Sequence, residues 1–203
     1  MPPFPVPHPA VRSRGRHVVA LAAALAAGAA CNDPITNTAT LQVASDTLVV
    51  TALTGTAPNA RSALQLRLVP TVVSPEALAD ADYHVVLDIN AAGRPVVYPS
   101  VLVSRAVSRR VSVRRVAAAY DSLNRAPTDG YSADSALVVS PGEVVAVQLG
   151  GGRGAECAFT GRPFFYSKIV VDSVRLSDRL LFVRATTNPN CGFRSFAPGV
   201  PRD

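Results

Sequence analysis

Alternation of apolar and polar residues with a period of two is the feature that most restricts the fold of this chain. In ALQLRLV, Leu64, Leu66 and Leu68 face one side of an extended segment, and YHVVLDI at 83–89 repeats the pattern. Such alternation is typical of half-buried β-strands. The same analysis predicts ten strands along the chain, at 39–43, 47–53, 63–72, 83–89, 95–103, 109–117, 135–140, 144–149, 164–174 and 179–186.

Turn-forming segments separate most of the predicted strands, among them TGTAPNA, NAAGRP, APTDGY, SPGE and LSDR. Helix signals are few: we expect one short helix at 74–81, where Pro75 follows Ser74, and another at 117–125. Many short strands with little helix predict an all-β fold. We expect a single domain at 39–203, an antiparallel β-sandwich of immunoglobulin-like or jelly-roll character.

Residues 1–30 have the order of a secretory signal peptide. An uncharged apolar run at 18–30, VVALAAALAAGAA, follows Arg12, Arg14 and Arg16 and ends in small residues. Thirteen apolar residues are too few to span a bilayer, which needs about 20. The alternative is a buried core helix. The sequence therefore predicts an N-terminal signal helix that is removed on export.

The junction AAGAACND resembles the lipobox of bacterial lipoproteins, over about residues 12–33. Ala29 and Ala30 match the small positions before the cysteine, whereas Gly28 stands where that class usually has a branched apolar residue. The resemblance implies acylation of Cys31, a lipidated tether at 31–38, and anchoring in the cell envelope. Asn32 after the cysteine weakly favours the outer membrane. Ordinary cleavage after an Ala-x-Ala-like site at 27–29 is the alternative.

Three cysteines are present, Cys31, Cys157 and Cys191. Lipidation of Cys31 leaves an even pair, and an oxidising compartment permits a disulfide between Cys157 and Cys191. Such a bond closes a loop of about 35 residues and contributes roughly 4 kcal/mol in the chain-entropy model.

An arginine-rich segment, SRAVSRRVSVRRV, is the densest charged feature after the leader. Its arginines are candidates for binding an anionic envelope polymer or lipid headgroup through bidentate contacts. A solvated edge strand, charged against aggregation, explains the segment equally well. Aromatic residues are not interleaved, so the sequence does not indicate nucleic acid. The candidate anion-binding residues are Arg105, Arg109, Arg110, Arg114 and Arg115.

Other chemical motifs are weak. His84 is expected to face solvent from a strand, without a catalytic partner, and the chain has no Gly-x-Ser-x-Gly elbow. DINAAG at 88–93 resembles the start of a calcium loop, but Ala92 and Pro99 occupy ligand positions, which favours a hairpin. LGGGRGAEC at 149–157 lacks the lysine of a phosphate-binding loop. We predict no metal site, no cofactor and no catalytic residue.

Two aromatic residues in PFFYSK, Phe164 and Tyr166, are expected on the face opposite Phe165, where they form an exposed pair if Phe165 packs inward. Exposed aromatic side chains are the usual platform for sugars, and the chain has no tryptophan. An ordinary core strand is the favoured interpretation.

Two function classes follow from these observations. The first is a non-enzymatic envelope lipoprotein that binds a ligand or protein partner or acts as a scaffold, held to the membrane by its N-terminal lipid. The second is an envelope-acting hydrolase that uses carboxylates without a histidine base. A carboxylate pair in a concave pocket supports the second class. Its candidate carboxylates are Asp82, Asp88, Asp121 and Asp129.

Overall fold

The computed structural model describes residues 38–75, 83–104, 110–150, 157 and 164–202. Residues Asn37–Asp203 form one compact unit, distinct from Met1–Thr36. The described residues form ten β-strands and two short 3-10 helices. The strands are β1 (Ala44–Thr51), β2 (Ala63–Gln65), β3 (Thr71–Val73), β4 (Val85–Ile89), β5 (Pro95–Pro99), β6 (Val111–Val116), β7 (Leu137–Val138), β8 (Val144–Gly150), β9 (Phe164–Arg175) and β10 (Leu180–Asn188).

The strands form two antiparallel sheets of five strands each. The first sheet has the order β1-β10-β9-β8-β6, and the second has the order β3-β2-β4-β5-β7. One buried apolar cluster draws residues from both sheets, so the sheets pack face to face. Fully buried members include Val50, Val147 and Leu181 of the first sheet and Leu64 and Leu87 of the second. This architecture confirms the all-β prediction and is consistent with a β-sandwich.

The predicted strand at 63–72 is wrong, because the segment forms two strands, β2 and β3, that pair with each other. Leu66 leaves the sheet: its N–H donates to His84 Nδ1 at 2.8 Å, and its carbonyl accepts a hydrogen bond from Ser167 Oγ at 3.1 Å. Pro70 has a fixed φ and no N–H to donate to a neighbouring strand, so it favours a turn between β2 and β3. Leu68, expected to share the buried face, is exposed in that turn.

Three further boundaries differ from the predictions. The segment 39–43 forms only an isolated bridge, between Val43 and Gly199, and β1 begins at Ala44. The predicted strand at 95–103 ends at Pro99, where a 3-10 helix spans Ser100–Leu102. The helix expected at 117–125 is a single 3-10 turn, Tyr120–Ser122. The signal helix and most of the helix predicted at 74–81 lie outside the described residues.

A third layer covers the outer face of the first sheet. Since β9 alternates, Phe165 and Ile169 face the core between the sheets, while Tyr166 and Val170 face outward. The outward residues are nevertheless buried, because the segments that contain Tyr120 and Phe196 fold across them. This covering layer creates the environment of the candidate site.

Candidate functional site

The centre of the candidate site is Lys168, which lies on the outward face of β9 and is only 5% exposed. Its ammonium donates to the backbone carbonyls of Tyr120 at 2.6 Å and Leu123 at 3.0 Å. The nitrogen also lies 4.3 Å from the centroid of the Tyr120 ring and 5.5 Å from that of Phe196. An ammonium has three N–H donors, and among the described residues the third has no acceptor. Lys168 therefore attaches the covering layer to the sheet, and it is also one of the residues that line the adjoining cleft.

Arg184 on β10 forms the second cationic element of the site. Its guanidinium binds Asp172 of β9 through Nε at 2.9 Å and Nη2 at 3.0 Å, and it reaches Asp121 through Nη1 at 3.1 Å. The guanidinium also lies 4.6 Å from the centroid of the Tyr120 ring. Arg184 thus links the sheet to the 3-10 turn at Tyr120–Ser122, and Tyr120 contacts two cations.

A chain of hydroxyl groups continues from this ring to the edge of the sheet. Tyr120 Oη lies 2.7 Å from Thr186 Oγ1, which lies 2.8 Å from Ser45 Oγ on β1. The chain holds the ring in place and connects the buried lysine region to the exposed β1 edge. Because hydroxyl groups both donate and accept, the chain accommodates hydrogen-bonding partners of either kind.

The groups around Lys168 shift in pKa for identifiable reasons. Burial lowers the pKa of Lys168 from its ordinary value, an effect that the nearby Asp121 charge opposes. Burial also raises the pKa of Tyr120, while its hydrogen bond with Thr186 acts in the other direction. The hydrogen bonds with Asp172 raise the pKa of Arg184, which therefore stays cationic. The site combines a permanent cation with a partly desolvated amine.

A cleft of about 470 Å³ opens beside these groups. Its charged lining residues are two acids, Asp46 and Asp121, and two bases, Lys168 and Arg184, so their formal charges balance. The amide of Asn124 and the hydroxyl groups of Ser45 and Thr47 add neutral donors and acceptors. A balanced lining suits a neutral polar ligand better than a polyanion.

A second hollow of about 710 Å³ adjoins the cleft. The two share Asn124 and Pro198, and the second is lined mainly by residues 195–202 near the C-terminus. The two hollows are therefore neighbours on the surface of the domain.

The predicted arginine cluster divides in the structure. β6 is an edge strand of the first sheet, and its neighbouring arginines have separate partners. Arg114 forms an ion pair with Asp129 at 3.1 Å, and Arg115 lies 3.7 Å from Glu143. Arg110 is exposed immediately before β6. Arg105 and Arg109 lie outside the described residues, so anion binding by the whole segment stays a prediction.

His84 does not face solvent as expected; it is 1% exposed. Its Nδ1 accepts a hydrogen bond from the Leu66 N–H, just after β2. The carbonyl of the same Leu66 accepts a hydrogen bond from Ser167 Oγ of β9 in the first sheet. This histidine therefore has a structural position between the sheets.

Asp88 is also buried. Its carboxylate accepts hydrogen bonds from the Thr54 N–H at 3.1 Å and from Arg179 Nη2 at 3.2 Å. The segment after it is a hairpin turn between β4 and β5, as predicted, with Gly93 at φ 73°. A positive φ of this size favours glycine. Asp88 is thus committed to holding Arg179 and the loop around Thr54.

The favoured interpretation of PFFYSK as an ordinary core strand is confirmed, and the alternative of an exposed aromatic pair does not hold. Phe165 packs inward, but Tyr166 is also buried, under the covering layer, and its ring lies 6.4 Å from that of Tyr131. Phe164 is half-buried beside the same cluster. The aromatic face is a second core rather than a surface platform.

The predicted disulfide is present between Cys157 and Cys191, with a Cα–Cα distance of 5.5 Å. Cys157 is buried in the main core cluster, and Cys191 packs against that cluster from the segment after β10. The bond therefore ties a residue between β8 and β9 to the C-terminal segment. Cys31 lies outside the described residues.

The candidate catalytic carboxylates do not come together. Among the described ones, Asp88, Asp121 and Asp129 each bind a different arginine. Asp82 lies outside the described residues. Asp172 shares Arg184 with Asp121, and this is the one place where the described structure joins two carboxylates to the same side chain.

The sequence analysis did not identify Lys168 or Arg184. The sequence did contain a signal for Lys168. Alternation along the strand puts it on the same face as Tyr166 and Val170, both apolar in character, and it is the only lysine in the chain. A single lysine on an apolar strand face indicates that its methylene stem packs against the neighbouring apolar side chains, and the structure shows that its ammonium is covered as well.

In the part of the chain that the structure describes, no cluster of histidine, cysteine, aspartate or glutamate has the arrangement of a metal site. Likewise, no helix among those residues has the length and apolarity needed to cross a membrane. Comparison with family models, curated protein sequences and solved structures finds no match to this chain.

Proposed function

We propose that the protein is an exported binding module of the cell envelope, anchored through a lipid on Cys31, whose groove beside Lys168 receives a neutral saccharide. The observation that carries the binding role is the polar cleft, with its balanced charges and its neutral hydrogen-bonding groups. The Cys157–Cys191 disulfide supports the location, since such bonds persist in oxidising compartments.

The chemistry of the cleft favours a saccharide because a sugar presents hydroxyl groups that both donate and accept. Asp46 and Asp121 accept such donors, while Lys168 and Arg184 donate to ring and hydroxyl oxygens. The adjoining hollow, which shares Asn124 and Pro198 with the cleft, offers room for a further sugar unit. An anionic polymer on the arginine-rich segment is less favoured, because Arg114 and Arg115 already have acidic neighbours.

No observation favours the hydrolase alternative. The described carboxylates that it would use serve as partners of arginines. The outer-membrane location suggested by Asn32, and the immunoglobulin-like or jelly-roll character of the sandwich, remain parts of the proposal.

Mass spectrometry of the mature N-terminus tests the anchor. We expect an acylated Cys31 in the protein extracted from membranes, and we expect Cys31→Ala to move the protein into the soluble fraction. An unmodified N-terminus upstream or downstream of Cys31 would contradict the anchor.

Binding to immobilised neutral and acidic glycans tests the groove. The double variant Asp46→Ala with Asn124→Ala removes exposed groups from the lining and should weaken binding to neutral glycans about 10-fold, since each lost hydrogen bond is worth roughly 0.5–1.5 kcal/mol. Asp134→Ala is the matched control, because Asp134 is an exposed acid outside this lining. Equal binding by all three proteins, or no retention on any glycan, would refute the saccharide proposal.

A further inference from the structure

One end of the sandwich collects exposed apolar side chains. Seven large hydrophobic residues are exposed in the described part of the chain, and five of them, between 43% and 58% exposed, lie near this end. They are Leu41, Leu68, Val69, Leu102 and Val200. We call this the tether end, because the described chain begins there, at Thr38.

The strand registers place these five residues together. In the first sheet, Ala44 at the start of β1 pairs with Thr187, and Leu41 is held by Asn190 just beyond β10. Val200 follows Gly199, which bridges Val43. These contacts put Leu41 and Val200 at the same end of the first sheet.

The second sheet contributes the other three. Leu68 and Val69 form the turn after Leu66, whose carbonyl is bonded by Ser167 near the start of β9. Leu102 follows β5 in the 3-10 helix, and the Ser100 N–H at its start donates to the His84 carbonyl just before β4. Two loops of the second sheet therefore present apolar side chains at the same end as Leu41 and Val200.

The length of chain before Thr38 restricts what covers this end. Thr38 is the seventh residue after Cys31, and a chain of seven extended residues reaches at most about 25 Å. β9 alone, with twelve residues, is about 40 Å long. A lipid on Cys31 therefore keeps the tether end near the bilayer, while the opposite end, with the turn at Leu176, stays farther away.

The charges beside the apolar residues suit the same surface. Arg202, which is exposed, lies two residues after Val200. Arginines next to apolar side chains are typical of segments at a membrane interface, where the cation meets anionic headgroups and the apolar groups enter the acyl boundary.

We infer that the tether end rests on the membrane surface, with Leu68, Val69 and Leu102 inserted at the lipid interface. This inference depends on the proposed lipid anchor. It adds a defined orientation: the sheets stand with the β9–β10 turn pointing away from the bilayer. A second copy of the chain is the competing occupant of the apolar end.

Tryptophan fluorescence tests the orientation, because the chain contains no tryptophan and a single substitution supplies the only signal. Leu68→Trp and Leu102→Trp place the reporter on two different loops of the tether end, and Leu176→Trp places it on the opposite turn as the matched control. Each full-length protein is purified from membranes and reconstituted in phosphatidylcholine and phosphatidylglycerol vesicles, with and without brominated phosphatidylcholine.

We expect the emission of Leu68→Trp and Leu102→Trp to shift to shorter wavelength and to be quenched by the brominated lipid, while Leu176→Trp keeps solvent-like emission. Two reporters keep the test decisive if one variant folds poorly. Proteins that float with the vesicles but leave all three tryptophans solvent-like would overturn the orientation and preserve the anchor. Proteins that do not float would overturn the anchor, and the orientation with it.

The same tryptophan variants carrying Cys31→Ala, measured without vesicles, test whether a second copy of the chain covers the tether end. If the tether-end tryptophans are shielded in this soluble form, and the shielding disappears on dilution, a second copy covers the surface and the membrane inference is wrong. Solvent-like emission of the soluble form supports the membrane.

Discussion

Reduction of the Cys157–Cys191 disulfide should lower the free energy of unfolding by about 4 kcal/mol. The cysteines are 34 residues apart in the sequence, and a cross-link that closes a loop of this size removes that amount of entropy, expressed as free energy, from the unfolded chain. For a domain of this length, each kcal/mol changes the Tm by about 2–4 °C, so we expect the Tm to fall by roughly 10 °C.

Calorimetry of the oxidised and the reduced protein measures this difference, with thiol titration to verify the redox state. Reduction keeps every side chain, so it isolates the cross-link from packing. The double variant Cys157→Ala with Cys191→Ala should melt below the reduced protein, because Cys157 is buried in the core and its truncation leaves a cavity. Reductant should not change the Tm of that variant. A reduced protein that melts within about 2 °C of the oxidised one would refute the loop-closure argument.

Three further predictions concern the core and its charges. Leu87→Ala should cost about 2–5 kcal/mol in urea unfolding, because Leu87 is fully buried, whereas Leu176→Ala on an exposed turn should change stability by less than about 0.5 kcal/mol. Arg179→Ala should lower the free energy of unfolding by about 3 kcal/mol, because it leaves the Asp88 carboxylate buried without its cation. Adding Asp88→Asn should restore part of this loss, and no restoration would contradict the pairing. The free energy of unfolding should fall as the pH rises above 10, because burial raises the pKa of Tyr83, Tyr120 and Tyr131 above the ordinary value of 10.0. The unfolded chain then releases these protons at a lower pH than the folded protein does. Unfolding measured at a series of pH values, together with tyrosinate absorbance, tests this effect.

Local pattern predicted most of the strands, although the segment at 63–72 forms two strands and 39–43 forms only an isolated bridge. Alternation along β9 placed Phe165 on the face opposite Tyr166, and the hairpin after Asp88 followed from its turn residues. Both features depend on residues that are close in sequence. The pairing of Cys157 with Cys191 followed from counting, because no other cysteine remained after Cys31.

Burial on the second face of each sheet was beyond local pattern. Val86 has the opposite parity to Val85 and Leu87 of the inner core, and it forms a separate cluster with Tyr83 and Ala63 on the second sheet. Lys168 is covered by Tyr120, 48 residues earlier. Parity predicts which side chains share a face, but not whether a distant segment lies over that face, and the candidate site was missed for this reason.

The covered position of Lys168 gives the folded domain an unusual chemical surface. Because the chain has no other lysine and Lys168 is only 5% exposed, reagents that acylate primary amines react slowly with side chains of the intact fold, and dyes, cross-linkers and resins work better through another group. Lys168 can therefore serve as a natural reporter of local opening. Because its ammonium is held by the carbonyls of Tyr120 and Leu123, its acylation rate depends on how often that segment detaches from the sheet.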